Sequence, residues 1–351
     1  MDPIHRLTQY SHGAGCGCKI SPKLLEEILK QPETHPPYSA LLVGNESRDD
    51  AAVYDLGNGT AIISTTDFFM PIVDDAFDFG RIAAANAISD VYAMGGTPLM
   101  AISILGWPVD KLPAALAGQV VEGGKTICRE AHIPLAGGHS IDSPEPIFGL
   151  AVTGIVQLAH LKKNNSAHKG DLLFLTKPLG TGILSTAQKK GLLDKHVLAA
   201  LVGHMTALNR VGEKLGKLPA VTAMTDITGF GLLGHLLEMT NGSNLSVELH
   251  YEKVPKMAGV QQYLAQRIFP DATSRNWNSY SPQVTFQNGV NVAEAFLLLP
   301  DPQTNGGLLF SVQPSALDEV KALLNAEGLK EFTEPVGRFV ERSNVAIRVS
   351  R

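Results

Sequence analysis

The sequence has little of what marks secreted or membrane-spanning proteins. It contains 3 cysteines in 351 residues, too few for a disulfide framework, and the odd number favours a reducing compartment. Its longest apolar stretches, Pro98 to Trp107 and Phe148 to Ala159, fall short of the roughly 18 to 20 residues that span a bilayer. Met1 to Gly17 lacks the apolar core of a secretory signal. We therefore expect a cytoplasmic protein with no membrane segment.

An excess of charge of one sign is also missing. The chain has 29 Lys and Arg against 34 Asp and Glu, a formal net charge of −5. This balance provides no basic field to hold a nucleic-acid backbone, so no nucleic-acid partner is expected. Hydrophobic residues make up 44% of the chain, enough apolar surface to exclude disorder along its whole length. At roughly 150 residues per domain, the length predicts two domains.

Helical and extended patterns alternate along the chain, which predicts an α/β (α+β) fold. The polar stretch from Lys162 to Gly170 indicates a domain boundary near residue 160. We divide the chain into a flexible Gly/Cys-rich segment with a helix (1–47), an N-terminal domain (48–160) and a C-terminal α/β domain (161–351). Predicted helices cover 21–30, 79–94, 111–131, 183–190 and 196–215, with another from 232, and predicted strands cover 51–54, 60–66, 98–107, 147–156, 171–176, 220–225 and 307–312.

Acidic residues recur where predicted strands begin or end. Asp49 and Asp50 precede a strand, Asp67 and Asp226 each close one, and Asp90 lies in a helix of small residues. Ligands of open α/β sheets gather where strands end, so these carboxylates are candidates to converge on a cation that carries a phosphorylated ligand. The alternative is that each Asp is an ordinary turn or cap residue.

The stretch from Ser11 to Lys19 has reactive side chains but few that pack. Cys16 and Cys18 are one residue apart, which does not match a zinc knuckle and is unsuited to a bridge between them. We favour a mobile loop that carries a nucleophilic or soft-atom-binding Cys16 beside Lys19, an amine able to lower the pKa of the thiol. The alternative is that the stretch has no chemical role and is simply a flexible end of the chain. Cys128, within an apolar helix, is predicted to be core.

Two segments are similar in sequence to nucleotide-binding motifs. Gly118 to Thr126 is similar to a P-loop but has one residue too many and lies inside a helical pattern, so we reject it. Gly229 to Gly234 fits the GxGxxG fingerprint between a strand and a helix, with Glu252 at roughly the needed distance. Against this, Asp226 would face the pyrophosphate with no metal between them. A dinucleotide-binding oxidoreductase is kept as an alternative.

Two further glycine-bearing segments, 136–140 and 303–307, are predicted to be turns beside strands. Their backbone N–H groups can point at phosphate oxygens, although each segment can equally be a plain tight turn. His139 in the first segment either is a structural histidine or faces a ligand.

Six short motifs occur in order along nearly the whole chain. They are His12-Gly-Ala-Gly-Cys-Gly-Cys-Lys19, Arg48-Asp-Asp-Ala-Ala52, Ser64-Thr-Thr-Asp-Phe-Phe69, Asn86-Ala-Ile-Ser-Asp90, Gly137-Gly-His-Ser140 and Thr225-Asp-Ile-Thr-Gly-Phe-Gly231. Together they resemble the selenophosphate synthetase family, and the combination is far more specific than any one motif. No clear departure from the family pattern occurs at the matched positions.

The resemblance implies a two-domain fold of the aminoimidazole-ribonucleotide-synthetase-like superfamily. It also implies a homodimer whose N-terminal domains join their strands in a β-barrel across the interface. The implied reaction converts ATP, selenide and water into selenophosphate, AMP and phosphate. Mg²⁺ would hold the triphosphate, a monovalent cation such as K⁺ would assist, and a selenium-delivery protein is a further implied partner.

The resemblance assigns roles to the residues found above. Cys16, at the position that is Cys or selenocysteine in the family, and Lys19 are the catalytic candidates, and Cys18 is accessory. We predict that the loop around Cys16 is ordered with nucleotide bound and disordered without it. The implied Mg²⁺ ligands are Asp50, Asp67, Asp90 and Asp226. The implied ATP contacts are Lys19, Ser47, Arg48, Asp49, Asp67, Asp90, Gly138, His139 and Ser140.

Two alternatives share the fold. A thiamine-phosphate kinase-like enzyme would keep the aspartates but has no evident need for Cys16. A nucleotide-binding protein without catalysis would be expected to lose Cys16 or Lys19, and both residues are present. The sequence leaves open whether Cys16 forms a covalent selenium adduct or only positions selenide, and which donor supplies the selenium.

Overall fold

The computed structural model describes residues 5–20, 22–29, 38–45 and 49–351. Ser47 and Arg48, two of the predicted ATP contacts, lie outside these residues, as do Ser21 and Lys30, the predicted ends of the first helix. Within the described residues the chain forms two sheets with helices packed against them. The N-terminal segment hydrogen-bonds to both parts of the chain.

The first sheet has six strands. They are β1 (Leu41–Val43), β2 (Ala52–Asp55), β3 (Thr60–Phe69), β4 (Thr97–Trp107), β5 (Leu135–Asp142) and β6 (Ile147–Gln157). Their order is β1-β2-β3-β6-β4-β5, with β4 and β5 parallel and the other neighbours antiparallel. Along β3 the buried Ala61 and Ile63 alternate with the exposed Ser64, Thr66 and Phe68. One face of the sheet is therefore covered, and the other is open.

A long central helix covers that face. The helices of this half are α1 (Pro22–Leu29), α2 (Ala76–Ala93) and α3 (Ala114–Glu130). Asp75 caps α2 by accepting the N–H of Asp78 at 2.8 Å. A Cβ added to Gly80 would lie 1.8 Å from the carbonyl oxygen of Val120, so α2 and α3 approach as closely as only glycine permits. Because α2 is buried along nearly its whole length, it is a rigid support for side chains that leave it.

The second sheet has seven strands and is also mixed. They are β7 (Leu172–Leu175), β8 (Val221–Asp226), β9 (Leu245–His250), β10 (Val284–Phe286), β11 (Leu308–Val312), β12 (Gly337–Glu341) and β13 (Ile347–Ser350). Their order is β10-β13-β9-β12-β7-β11-β8, so β8 is an edge strand. Phe174 of β7 stacks on Phe310 of β11, with the ring centres 5.3 Å apart. Phe310 also pairs with Met224 of β8, so the stacked rings lie in the core close to the end of that strand.

Eight helices pack around the second sheet within the described residues. They are α4 (Thr181–Lys189), α5 (Lys195–Thr206), α6 (Val211–Gly216), α7 (Gly231–Gly242), α8 (Val260–Ala265), α9 (Asp271–Tyr280), α10 (Val292–Leu298) and α11 (Leu317–Ala326). Short 3₁₀ turns, including Leu7–Tyr10 and Gly15–Cys18, complete the regular structure. No helix in the described part of the chain combines the length and the apolar character that crossing a bilayer requires.

Three details differ from the sequence predictions. β3 continues to Phe69, because β6 offers pairing partners that far, so Asp67 lies within the strand and not at its end. Residues 136–140 are part of β5 and not a turn, because β4 pairs alongside; Gly137 and Gly138, with φ values of +137° and +158°, lie where the register of this pairing shifts. The helix predicted over 196–215 is interrupted between α5 and α6, where the side chain of Asn305 binds carbonyls of the break.

Candidate active site

The candidate site lies between the two sheets. The first half contributes β3 and α2, which carry Asp67 and Asp90. The second half contributes the end of β8 at Asp226 and two loops, residues 227–230 and residues 301–307. Residues 12–19, here called the tip loop, lie across these elements.

The tip loop is packed into the site. The Gly15 N–H donates to the carbonyl of Met70 at 3.1 Å, and the Cys16 N–H donates to Oγ1 of Thr304 at 3.0 Å. The loop is thus attached to both halves of the chain, and Cys16 is only 2% exposed. The expected dependence of its order on nucleotide remains a prediction.

The Cys16 thiol and a predicted metal ligand share one side-chain amide. Sγ of Cys16 donates to Oδ1 of Asn86 at 3.2 Å, and Nδ2 of Asn86 donates to Oδ2 of Asp67 at 2.6 Å. Sequence reasoning gave Asn86 no role. The available signal was its position four residues before Asp90, which places both on one face of α2.

The four predicted metal-binding carboxylates are each held by a neighbouring donor. Three of the donors are hydroxyl groups and one is an amide, so the carboxylates are oriented before any ligand is bound. The pairs are Thr65 with Asp90 at 2.5 Å, Thr225 with Asp50 at 2.7 Å, Ser89 with Asp226 at 2.5 Å and Asn86 with Asp67 at 2.6 Å.

Burial and mutual repulsion disfavour the ionised form of the clustered carboxylates. Burial raises the pKa of Asp50, and the neighbouring Asp226, Asp49 and Asp90 raise it further. Burial also raises the pKa of Asp90, with Asp67 and Asp226 adding to the effect. The pKa of Asp226 is raised chiefly by burial, and burial raises that of Asp49 to about 7. Such a cluster favours a cation close by.

Lys19 is one positive charge that the chain supplies. Burial lowers its pKa, but Asp67, Cys16, Asp90 and Asp226 together outweigh burial, and the pKa lies above its usual range. Its Nζ donates to Oγ1 of Thr228 at 3.4 Å. Lys19 is therefore charged at neutral pH inside the carboxylate cluster.

Lys19 lowers the pKa of the Cys16 thiol, as expected, but burial outweighs this effect, so the packed arrangement does not favour a thiolate. Burial raises the pKa of Cys16 far above its ordinary value; Lys19 lowers it, and Asp67 and Asp226 raise it again. Burial is the largest of these effects, so Cys16 is a neutral thiol while the tip loop is packed.

The carboxylates fit Mg²⁺ that keeps most of its water ligands. Among the residues that the structure describes, no three His, Cys, Asp or Glu side chains lie close enough together to hold a metal by themselves. However, Oδ2 of Asp49 and Oδ2 of Asp50 are buried without a hydrogen-bond partner, and buried carboxylate oxygens need a donor or a cation. Mg²⁺ retains several waters and commonly binds through one or two carboxylates plus phosphate oxygens.

Residues 138–140 lie away from the carboxylates of their own chain. Gly138 pairs with Ser103, Ser103 with Leu150 and Leu150 with Asp67, so Gly138 and Asp67 occupy one row across four strands. Three strand spacings separate them by roughly 14 Å. The structure therefore does not bring the 138–140 segment into contact with the Asp cluster.

The nucleotide-like segments have structural roles. A Cβ added to Gly229 would lie 2.5 Å from the carbonyl oxygen of Cys16, so the tip loop fills the space that a pyrophosphate would need. The dinucleotide-binding alternative is therefore less supported. The rejection of the P-loop is confirmed, because 118–126 lie inside α3, and Cys128 of the same helix is buried as predicted.

A cavity beside the tip loop gives the site room for a ligand. Its volume is about 310 Å³, and its lining includes Cys16, Lys19, Asp67, Phe68 and Met70. Both catalytic candidates and one predicted metal ligand therefore face the same space.

Comparison with known proteins defines the class of the chain. The models of the AIR synthase related protein family match residues 48–156 with the N-terminal domain and residues 168–350 with the C-terminal domain. The chain thus has the fold of an AIR synthase related protein, as the sequence predicts.

The curated relatives are more specific. The selenide, water dikinase of Photorhabdus laumondii is 59% identical over 325 residues, covering 93% of this chain and 92% of the relative. That of Pseudomonas aeruginosa is 55% identical over 349 residues, covering 99% of this chain and all of the relative. The chain belongs to the selenide, water dikinase family.

The solved structures agree on the fold. The thiamine-monophosphate kinase of Stenotrophomonas maltophilia superposes with a TM-score of 0.64 over 93% of this chain and 94% of that one. Sequence identity is only 19%, so this similarity concerns the fold alone. The thiamine-phosphate kinase alternative is therefore much less supported than the selenide, water dikinase assignment.

Proposed function

We propose that this chain uses ATP to convert selenide and water into selenophosphate, releasing AMP and phosphate. The observation that carries the proposal is the Asn86 amide, which joins the Cys16 thiol at 3.2 Å to the Asp67 carboxylate at 2.6 Å. A soft atom for selenium and a carboxylate for Mg²⁺-ATP are thereby held in one buried site. A phosphoryl group and selenide would meet there.

The carboxylates and Lys19 would have different roles in binding ATP. Asp50, Asp67, Asp90 and Asp226 would hold Mg²⁺, which neutralises triphosphate charge when bound. Lys19 would donate to phosphoryl oxygens, since Asp67, Asp90 and Asp226 help to keep it charged. Asp49 remains a proposed ATP contact, as do Ser47 and Arg48, which precede it in sequence. A monovalent cation such as K⁺ remains a proposed activator.

Cys16 would meet selenide as a thiol on a loop that excludes water. Selenide must reach the γ-phosphoryl group before water does, and the packed tip loop covers the carboxylates. Because burial keeps the thiol neutral, Cys16 offers selenide a polarizable, uncharged contact in this state. A free thiol is needed for this role, which supports a reducing cytoplasm as the compartment.

The first sheet supports the proposed homodimer. Its open face and edge carry large apolar side chains, including Phe68, Leu99, Ile102 and Ile141, which are 47% to 58% exposed. Pairing of two such sheets into a barrel would bury them. The pairing would also give the 138–140 segment a second chain to contact, which supports its proposed role with ATP. A selenium-delivery protein remains a proposed partner. The domain boundary near residue 160 also remains a proposal.

Phosphorus NMR tests the reaction directly. Purified protein with ATP, Mg²⁺ and anaerobic selenide is expected to produce a selenium-coupled phosphorus signal together with AMP and phosphate. Cys16→Ser is expected to lose the coupled signal. Cys128→Ala, which removes a buried thiol from α3, is the matched control and is expected to retain it.

Two results would overturn the proposal. One is ATP consumed to ADP at a rate that does not depend on selenide. The other is phosphorylation of thiamine monophosphate added in place of selenide, which would assign the chain to the thiamine-phosphate kinases.

A further inference from the structure

The orientation of the Asn86 amide is determined by two neighbours. The backbone N–H of Asn305 can only donate, and it lies 2.7 Å from Oδ1 of Asn86. The carboxylate of Asp67 accepts at 2.6 Å and therefore faces Nδ2. These two contacts distinguish the oxygen from the nitrogen without reference to the thiol. Cys16 at 3.2 Å consequently faces an acceptor and must donate its S–H.

Asn305 is held in an unusual backbone conformation. Its φ is +48°, in the left-handed region that Asn tolerates better than most residues. Its Nδ2 donates to the carbonyls of Met205 at 2.7 Å and Ala207 at 2.9 Å, at the break between α5 and α6. These side-chain bonds direct its backbone N–H toward Asn86.

Lys177 holds the same residue from the other side. Its Nζ donates to the carbonyl of Asn305 at 2.9 Å and to that of Ala207 at 2.7 Å. Asn305 is fully buried and Lys177 nearly so. The contacts run without a gap from Lys177 through Asn305 to Asn86, and from Asn86 to Cys16 and Asp67.

We propose that Asn305 and Lys177 are positioning residues that orient the Asn86 amide, and through it keep Cys16 a hydrogen-bond donor beside Asp67. Neither residue needs to touch a substrate. The inference deepens the proposed function, on which the role of Cys16 rests. If the amide turned over, the thiol would face Nδ2, a second donor, and the tip loop would lose one of its attachments.

The test measures how fast iodoacetamide alkylates Cys16, with neither ATP nor selenide present. All variants carry Cys18→Ser, so the tip peptide has one thiol, and mass spectrometry follows it. Asn305→Gly keeps the backbone N–H and allows positive φ but removes the side-chain anchors. Lys177→Met keeps an unbranched side chain but removes both Nζ bonds. Each is expected to raise the Cys16 rate by about three- to ten-fold, the effect of losing one net hydrogen bond.

Cys128 provides an internal control for unfolding. It is buried in α3, far along the chain from the tip loop, so its alkylation rate is expected to stay unchanged. If the Cys128 rate rises in parallel, the two residues support the fold in general and the proposal is wrong. An unchanged Cys16 rate in both variants would also contradict it.

A double-mutant cycle tests whether the effect passes through Asn86. In an Asn86→Ala background, Asn305→Gly is expected to add no further increase in the Cys16 rate. An equal increase in both backgrounds would overturn the proposal. Since the assay uses no selenide, failure here leaves the phosphorus NMR result untouched, and loss of selenophosphate synthesis would not alter this assay.

Discussion

The two walls of the site are built differently. On one side, Asp67 and Asp90 leave a ten-residue strand and an eighteen-residue buried helix, with donors from the same two elements. On the other side, Thr228, Thr304 and Asn305 belong to loops after β8 and before β11. The regular wall holds charge in place, whereas the loop wall shapes the position of the Cys16 thiol.

This difference separates two requirements of the chemistry. Phosphoryl transfer needs fixed charges, and charges are held best on rigid elements. Selenide must first enter the site and must then be shielded from water, and loops can open and close in this way. Substitutions of the carboxylates in the regular wall should therefore affect the reaction without moving Cys16, and substitutions in the loop wall should move Cys16.

The largest effect is expected from Asp90→Asn in the regular wall. The amide keeps the shape of the side chain but removes one charge from the cluster, so selenophosphate and AMP formation should fall by about a thousand-fold. Asp78→Asn, near the start of the same helix, is the matched control and should retain activity. Activity of Asp90→Asn within about three-fold of wild type would show that the regular wall is not the ATP site.

A smaller effect is expected from Gly229→Ala in the loop wall. The new Cβ would lie 2.5 Å from the carbonyl oxygen of Cys16, so the tip loop must shift outward. Alkylation of Cys16 should become about ten-fold faster. Gly203→Ala is the control, because a Cβ there meets nothing within 4 Å in α5. Equal Cys16 rates in both variants would contradict the contact.

The smallest effect concerns pH and Mg²⁺. Burial raises the pKa of Asp49 to about 7 and the pKa values of Asp50, Asp90 and Asp226 above their ordinary range. At these four groups the folded state then binds more protons than the unfolded state, so their contribution to stability is greatest at low pH and is lost as pH rises through about 7. Without Mg²⁺, the Tm should fall between pH 5.5 and 8, by about 2 to 4 °C for each kcal/mol lost.

Mg²⁺ should reverse this loss. It binds the ionised cluster better than the protonated one, so it should raise the Tm more at pH 8 than at pH 5.5. Asp226→Asn should reduce both the pH effect and the Mg²⁺ effect. A Mg²⁺ shift of equal size at both pH values would indicate that the ion binds elsewhere.

Much of the regular wall could be predicted from the sequence. The spacing of strands and the small-residue helix indicated where Asp67 and Asp90 lie, and the end of a predicted strand indicated Asp226. The strand ends were misplaced where pairing partners from distant segments decide them, as with Asp67 inside β3 and the 136–140 segment inside β5.

The loop wall was mostly beyond sequence reasoning. Asn86 and Asn305 are 219 residues apart, and no local periodicity relates them. Lys177 hydrogen-bonds to backbone carbonyls. Because every residue carries a backbone carbonyl, the sequence does not indicate which ones Lys177 contacts. The effect of Lys19 on the pKa of Cys16 was predicted in the right direction, but the larger and opposite effect of burial was not, because depth of burial follows from how the loop packs.

The most direct test of the central claim asks whether the Cys16 thiol and the carboxylates proposed to bind Mg²⁺-ATP form one site. The alkylation rate of Cys16 is measured with and without Mg²⁺ and a non-hydrolysable ATP analogue, in wild type and in Asp90→Asn. We expect the analogue to slow alkylation by about ten-fold in wild type and to have no effect in Asp90→Asn. An analogue that binds wild type but leaves the Cys16 rate unchanged would contradict the claim.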